Sequence, residues 1–123
     1  MSSAARPGID LIEIERVERA LERRPRLARR LFSPGELAYA RARSRPGRHL
    51  AARFAAKEAA AKALGGHLPL RDIEVVAGER GPGLRLHRAA ARRAGELGLE
   101  LKVSLTHSRE LAAAAVVASP TAD

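Results

Sequence analysis

RHLAARFAAKEAAAKAL, residues 48–64, followed by Gly65 and Gly66, decides the fold. Seventeen residues without glycine or proline, rich in alanine, arginine, lysine and glutamate, specify a long helix, and the glycine pair ends it. Its charges come in two pairs at i, i+4: Arg53 with Lys57, and Glu58 with Lys62. A Glu four residues before a Lys is an ordinary helix-surface pair. Here alanines frame the charges on nearly every side, so another backbone can approach closely. That framing favours a buried, ligand-facing helix over a solvated one.

Upstream of this helix, Gly8 to Glu13 (GIDLIE) reads as a short strand, with Ile9 and Leu11 on one face and Asp10 with Ile12 on the other. Ile14 to Arg23 takes helical spacing through Ile14, Val17 and Leu21. Leu27 and Leu31 line the next turn after Pro25. Ser33-Pro34-Gly35-Glu36 forms a helix N-terminus, with Ser as N-cap, Pro at the first position and Glu at the third, and that helix runs to about Arg43. Downstream, Asp72 to Ala77 alternates as a strand and pairs back with Leu84 to Leu86 through a glycine-rich turn. His87 to Leu97 is a second basic helix closed by Gly98. Leu101 to Ser108 and Leu111 to Ala118 read as two strands joined at Ser108-Arg109-Glu110. The expected fold class is α+β, a small antiparallel sheet packed with the long alanine-rich helix.

The chain has 123 residues, enough for one domain over 1–123, with 1–7 and 119–123 expected as loose ends. It is 46% hydrophobic, but much of that share is alanine and aromatics are only 2%, so a single subunit builds a thin core and an interface would supplement it. The absence of cysteine excludes disulfides, thiolate metal sites and cysteine nucleophiles. No apolar run approaches membrane length, and the first ten residues lack the layout of a secretory signal. The expectation is a cytoplasmic protein. Twenty-three Lys and Arg against fourteen Asp and Glu give a net charge of +9, which attracts polyanions.

Four features carry chemistry. Asp10 sits in an apolar strand, where an ionised carboxylate needs a partner or a metal. The Arg53–Lys62 segment presents three cations and one carboxylate. Ser104-Leu105-Thr106-His107-Ser108 puts hydroxyls and a histidine at a strand end, whereas His49, His67 and His87 have no context that lifts them. Arginines crowd the first helical region, with Arg16, Arg19 and Arg23 on one face. Nothing aromatic interleaves that ridge, which leaves base stacking little to use. There is no zinc finger, Walker A loop or dinucleotide glycine signature.

In combination, Gly8-Ile9-Asp10, then Arg53-Phe54-Ala55-Ala56-Lys57-Glu58-Ala59 with Lys62-Ala63-Leu64-Gly65, then Ser104 to Ser108 before an alanine-rich strand, resemble the holo-acyl-carrier-protein synthases. These are the short, single-repeat 4′-phosphopantetheinyl transferases. The likeness runs from Gly8 to about Ala118. It departs at Gly65-Gly66-His67, where the family often has Gly-Thr-Gly, and at His87-Arg88, where it tends to carry a glycine.

The resemblance implies transfer of 4′-phosphopantetheine from coenzyme A to a serine of apo acyl carrier protein, releasing adenosine 3′,5′-bisphosphate, in fatty-acid or polyketide synthesis. By the same resemblance Asp10 and Glu58 hold Mg²⁺, and Glu58 and Lys62 are catalytic. The proton acceptor stays open between Glu58 and a metal-activated water. Arg53, Lys57, Lys62, His107 and Ser108 grip coenzyme A. Arg16, Arg23, Arg26 and Arg30 dock the acidic carrier, and a homotrimer forms sites between subunits. The alternative is a basic nucleic-acid-binding or anion-binding module without catalysis, which leaves Asp10, Glu58 and His107 unused.

Overall fold

The computed structural model describes residues 5–122. The chain runs β1 (Arg6–Glu13), α1 (Ile14–Arg23), α2 (Leu27–Leu31), α3 (Pro34–Arg41), α4 (Pro46–Leu64), a 3₁₀ turn (Leu70–Asp72), β2 (Ile73–Gly78), β3 (Gly81–Leu86), α5 (Arg88–Leu97), β4 (Leu99–His107) and β5 (Leu111–Pro120). The α+β expectation holds, with one difference in topology. The strands form two sheets, an antiparallel β1-β5-β4 and a separate β2-β3 ribbon. Strand ends also extend beyond the expected bounds. Arg6 and Pro7 pair with Ala118 and Val117, and Ser119 and Pro120 with Glu100 and Leu99, so these residues belong to the sheet. Of the remaining expected loose ends, Ala5, Thr121 and Ala122 lie outside the strands, and 1–4 and 123 lie outside the described residues.

Helix α4 lies on the three-stranded sheet, and small side chains on both surfaces bring the backbones together. Ala55, Ala56, Ala59, Ala60 and Ala63 of α4 meet Ala114, Val116 and Ala118 of β5 in the main core. A Cβ built on Gly8 would sit 1.9 Å from the Ala59 carbonyl oxygen, so β1 can approach α4 only with glycine at that position. The helix ends at Gly65, whose φ of 69° suits a left-handed cap, with its N–H donating to the Ala61 and Lys62 carbonyls. A second cluster joins Ile14 and Val17 of α1 to Ala51 and Ala52. A third gathers Phe32, Leu37, Ala40 and Leu50 beneath α3.

The capping box at Ser33 forms as the sequence specifies. The Glu36 N–H donates to Ser33 Oγ, and the Ser33 N–H donates to Glu36 Oε1. Among the described residues, nothing covers the opposite face of the sheet. Ile9 is 70% exposed and Leu11 64%, with Leu111 and Val117 beside them on the outward side.

Candidate active site

Two charged faces of α4 emerge. On the first, Lys57 is fully buried and forms an ion pair with Glu36 Oε1 at 2.8 Å. Its ammonium also donates to the carbonyls of Leu70 (3.1 Å) and Ile73 (2.6 Å), which uses all three of its protons. The other Glu36 oxygen accepts from the Val75 N–H at 2.8 Å. The network continues outward: Ser33 Oγ donates to Glu74 Oε2 at 2.7 Å, and Glu74 Oε1 lies 3.0 Å from His87 Nε2. Burial pushes the Lys57 ammonium below its ordinary value, and the Glu36 carboxylate beside it pulls the other way. The expected role of Lys57 in gripping coenzyme A is therefore corrected. It ties α4 to α3 and β2 and has no free donor to offer a ligand.

The second face opens on a groove of about 470 Å³ lined by Asp10, Glu13, Arg16, Phe54, Glu58 and the apolar side chains of α1 and α2. Asp10 is mostly shielded, and its Oδ1 receives the Lys62 ammonium at 3.2 Å, while the same ammonium donates to the Ile9 carbonyl at 3.0 Å. Lys62 thus reaches across to β1, and the ordinary Glu58–Lys62 helix pair is absent among the described residues. The partner that Asp10 needs is a cation from α4. Glu58 and Lys62 also flank a second hollow with Gly65, Gly66 and His67.

Arg53 and His107 occupy a different place. They line a cleft of about 510 Å³ with Tyr39, Arg43, His49, Thr106 and Pro82, sharing no lining residue with the Asp10–Glu58 groove. Helix geometry explains the division: five residues from 53 to 58 advance the helix by roughly 500°, leaving the two side chains about 140° apart. The sheet register agrees. His107 on β4 and Ile12 on β1 both oppose Ala112, with the whole of β5 between them. Arg53 is 4% exposed and its guanidinium lies over the Tyr39 ring, 3.8 Å from the centroid. Its Nε is buried without a hydrogen-bond partner among the described residues. Ser108 is exposed, and its hydroxyl accepts from the Leu111 N–H at 3.1 Å within the β4–β5 turn. Arg16, Arg23, Arg26 and Arg30 are all exposed, and Arg16 also reaches the groove of Asp10 and Glu58. Only Arg19 of the α1 ridge has an acidic partner among the described residues, Glu15 one turn earlier.

Tyr39, Arg43 and His49 join the cleft without having been singled out in the sequence. For His49 a signal existed: it precedes Arg53 by four residues on α4 and so shares its face.

The sequence model of the 4′-phosphopantetheinyl transferase superfamily matches residues 6–116. This chain belongs to that superfamily. Within it, the chain is 53% identical over 112 residues to a holo-[acyl-carrier-protein] synthase of Moorella thermoacetica, covering 87% of this chain and 88% of that one. Among solved members, the ACPS–CoA complex of Chronobacterium ammoniagenes superposes with a TM-score of 0.85 at 30% identity, over 98% of this chain and all of the other. A Bacillus anthracis holo-(acyl-carrier-protein) synthase in complex with CoA (3′,5′-ADP) gives a TM-score of 0.77 at 32% identity, covering 94% of this chain and 96% of that chain.

Arg88 adopts a φ of 44°, left-handed backbone that a glycine enters without steric cost.

Proposed function

We propose that this chain is a holo-[acyl-carrier-protein] synthase. It transfers the 4′-phosphopantetheine group of coenzyme A to a serine hydroxyl of apo acyl carrier protein and releases adenosine 3′,5′-bisphosphate. The setting is the cytoplasm and the carriers serve fatty-acid or polyketide synthesis. The observation that carries the reading is the groove in which two carboxylates, Asp10 and Glu58, meet Arg16 of an exposed basic ridge, with the Lys62 ammonium already against Asp10.

In the reaction the serine oxygen bonds to the phosphorus that carries pantetheine. The bond from that phosphorus to the bridging oxygen breaks, and the bisphosphate leaves with the electron pair. Asp10 and Glu58 are a hard-oxygen donor pair, and Asp10 already takes a cation in the Lys62 ammonium, so the residues fit Mg²⁺, which takes one or two carboxylates and leaves other positions to phosphate and water. Bound there, Mg²⁺ supplies charge neutralisation to the pyrophosphate. Lys62, released from Asp10, faces the phosphoryl oxygens as their charge grows. Of this chain's own groups Glu58 is the one suited to receive the serine proton. Arg53 and His107 hold the nucleotide end and its 3′-phosphate, with Ser108 on the adjoining turn.

Two halves on different surfaces call for more than one subunit. The outward face of Ile9, Leu11, Leu111 and Val117 supports a homotrimer, because an apolar sheet face of this kind gains by burial. The cleft of one subunit then completes the groove of its neighbour. The acidic carrier docks on Arg16, Arg23, Arg26 and Arg30. Reversing Arg16, Arg23 and Arg26 to Glu should weaken carrier binding chiefly through the association rate, and the loss should shrink as salt rises. Exposed pairs contribute roughly 0.2–1 kcal/mol each, so three reversals together give a measurable effect.

The test of the activity is mass spectrometry of apo acyl carrier protein incubated with coenzyme A, Mg²⁺ and this protein. A gain of one phosphopantetheine is expected; an unmodified carrier at completion would overturn the assignment.

A further inference from the structure

The cleft around Arg53 is held together by an unbroken series of ring contacts. The Tyr39 ring lies between two guanidiniums, Arg43 at 3.3 Å from its centroid and Arg53 at 3.8 Å. His49 and Tyr39 meet in a T-shaped contact with centroids 5.9 Å apart and planes at 74°. His49 in turn meets His107 at 5.4 Å and 82°. Among the described residues no carboxylate lines this cleft. Two arginines and two histidines therefore converge with nothing acidic to balance them, and Arg53 keeps its buried Nε unpartnered.

Each ring has a definite task in that arrangement. A guanidinium stacked on an aromatic face keeps its edge N–H groups free for an anion while its position is fixed. Tyr39 does this for two arginines at once. An imidazole packed edge-on against a second ring loses its rotational freedom. Burial, and then the charges of His107, Arg48, Arg53 and Arg43, hold His49 below the ordinary histidine range.

We propose that Tyr39 and His49 are positioning residues for the nucleotide cleft: Tyr39 fixes the guanidiniums of Arg43 and Arg53, and His49 braces the His107 ring, so that together they select a phosphomonoester dianion. The inference rests on the nucleotide reading of this cleft given above and adds which side chains set its selectivity. Neither ring touches the Asp10–Glu58 groove, so the effect belongs to nucleotide affinity and not to the bond-breaking step.

Calorimetric titration of the assembled protein with coenzyme A and with dephospho-coenzyme A separates the possibilities. His49→Ala and Tyr39→Leu should each weaken coenzyme A binding by roughly tenfold, equivalent to about 1.4 kcal/mol. Dephospho-coenzyme A, which lacks the 3′-phosphate, should bind the variants as it binds the parent. His49→Phe and Tyr39→Phe keep the rings and should retain coenzyme A affinity within about twofold. In steady-state assays KM for coenzyme A should rise in the ring-deleted variants while kcat holds. Thermal melts identify any variant that has lost its fold, and the Phe variants then carry the test. Equal weakening of both ligands, or no weakening of coenzyme A, would overturn the positioning role. A parent protein that binds both ligands equally would overturn the nucleotide reading itself, whatever the variants do.

Discussion

The two i, i+4 charge pairs on α4 have opposite fates. Lys57 is sealed under α3 and β2 and Arg53, though little exposed, lines the cleft with Tyr39 and His107, while Glu58 opens onto the groove beside β1 and Lys62 onto the hollow at Gly65. The pairs are equally framed by alanine, so composition does not separate them. What separates them is the neighbouring layer. Glu36, held by its own capping box, and the Leu70 and Ile73 carbonyls form a complete acceptor set for Lys57. On the other side β1 offers Lys62 one carboxylate and one carbonyl at a half-exposed position, a contact loose enough to exchange. A charge with every proton satisfied in a dry site holds the fold together, whereas one held at a half-exposed site remains available for chemistry.

The comparison is broken most sharply at Lys57. Lys57→Met leaves the Glu36 carboxylate buried without its cation and should destabilise the protein by about 3–5 kcal/mol, whereas the paired change Lys57→Met with Glu36→Leu should recover much of that loss. Glu58→Gln, on the open side, should shift stability by no more than about 0.5 kcal/mol. Urea unfolding of the three proteins measures the contrast. Equal costs at Lys57 and Glu58 would show that the two faces do not differ.

A second prediction sharpens the open side. Lys62 competes for Asp10, so Lys62→Met should tighten the binding of Mn²⁺ or Mg²⁺ to the protein without coenzyme A, read by calorimetry or by the Mn²⁺ resonance spectrum. The same substitution should cut transfer by roughly 10²–10³, the scale of losing one charge-stabilising group. Metal affinity that falls along with transfer would contradict the exchange of Lys62 between Asp10 and phosphate.

The smallest effect is a pH dependence on the sealed side. Burial opposes ionisation of Glu74, but hydrogen bonds from Ser33 and His87, with the nearby charges of His87 and Arg85, outweigh it and hold the carboxyl below its ordinary range. A carboxylate depressed on folding contributes stability that is present at neutral pH and is lost as pH falls from the ordinary carboxylate value through the lower folded one. Glu74→Gln should therefore flatten the acid limb of the stability curve, measured as unfolding midpoints between about pH 6 and pH 3. An unchanged acid limb would contradict it.

What could be read from the sequence was local. The α4 helix, its glycine stop and the Ser33–Glu36 capping box follow from neighbours within four residues, and all three are present. Asp10 stood out as a carboxylate in an apolar strand and does have a cationic partner. The fate of Lys57 was hidden because its carboxylate partner lies 21 positions away in sequence and two of its acceptors are main-chain carbonyls, which carry no side-chain signature. Tyr39 and Arg43 were hidden for the same reason, since they meet Arg53 only after α3 folds across α4. The separation of Arg53 from Glu58 was legible in principle, because their angular spacing follows from helix geometry alone.

The central claim is that the Asp10–Glu58 groove and the Arg53–His107 cleft act together across a subunit boundary. It is tested most directly by mixing two inactive variants, Asp10→Ala and His107→Ala, after unfolding and joint refolding. In a cyclic trimer each site takes its groove from one subunit and its cleft from the next, so a random equal mixture should regain about a quarter of the parent transfer activity. Joint refolding that restores no activity, from variants that are each folded and trimeric, would contradict the shared site.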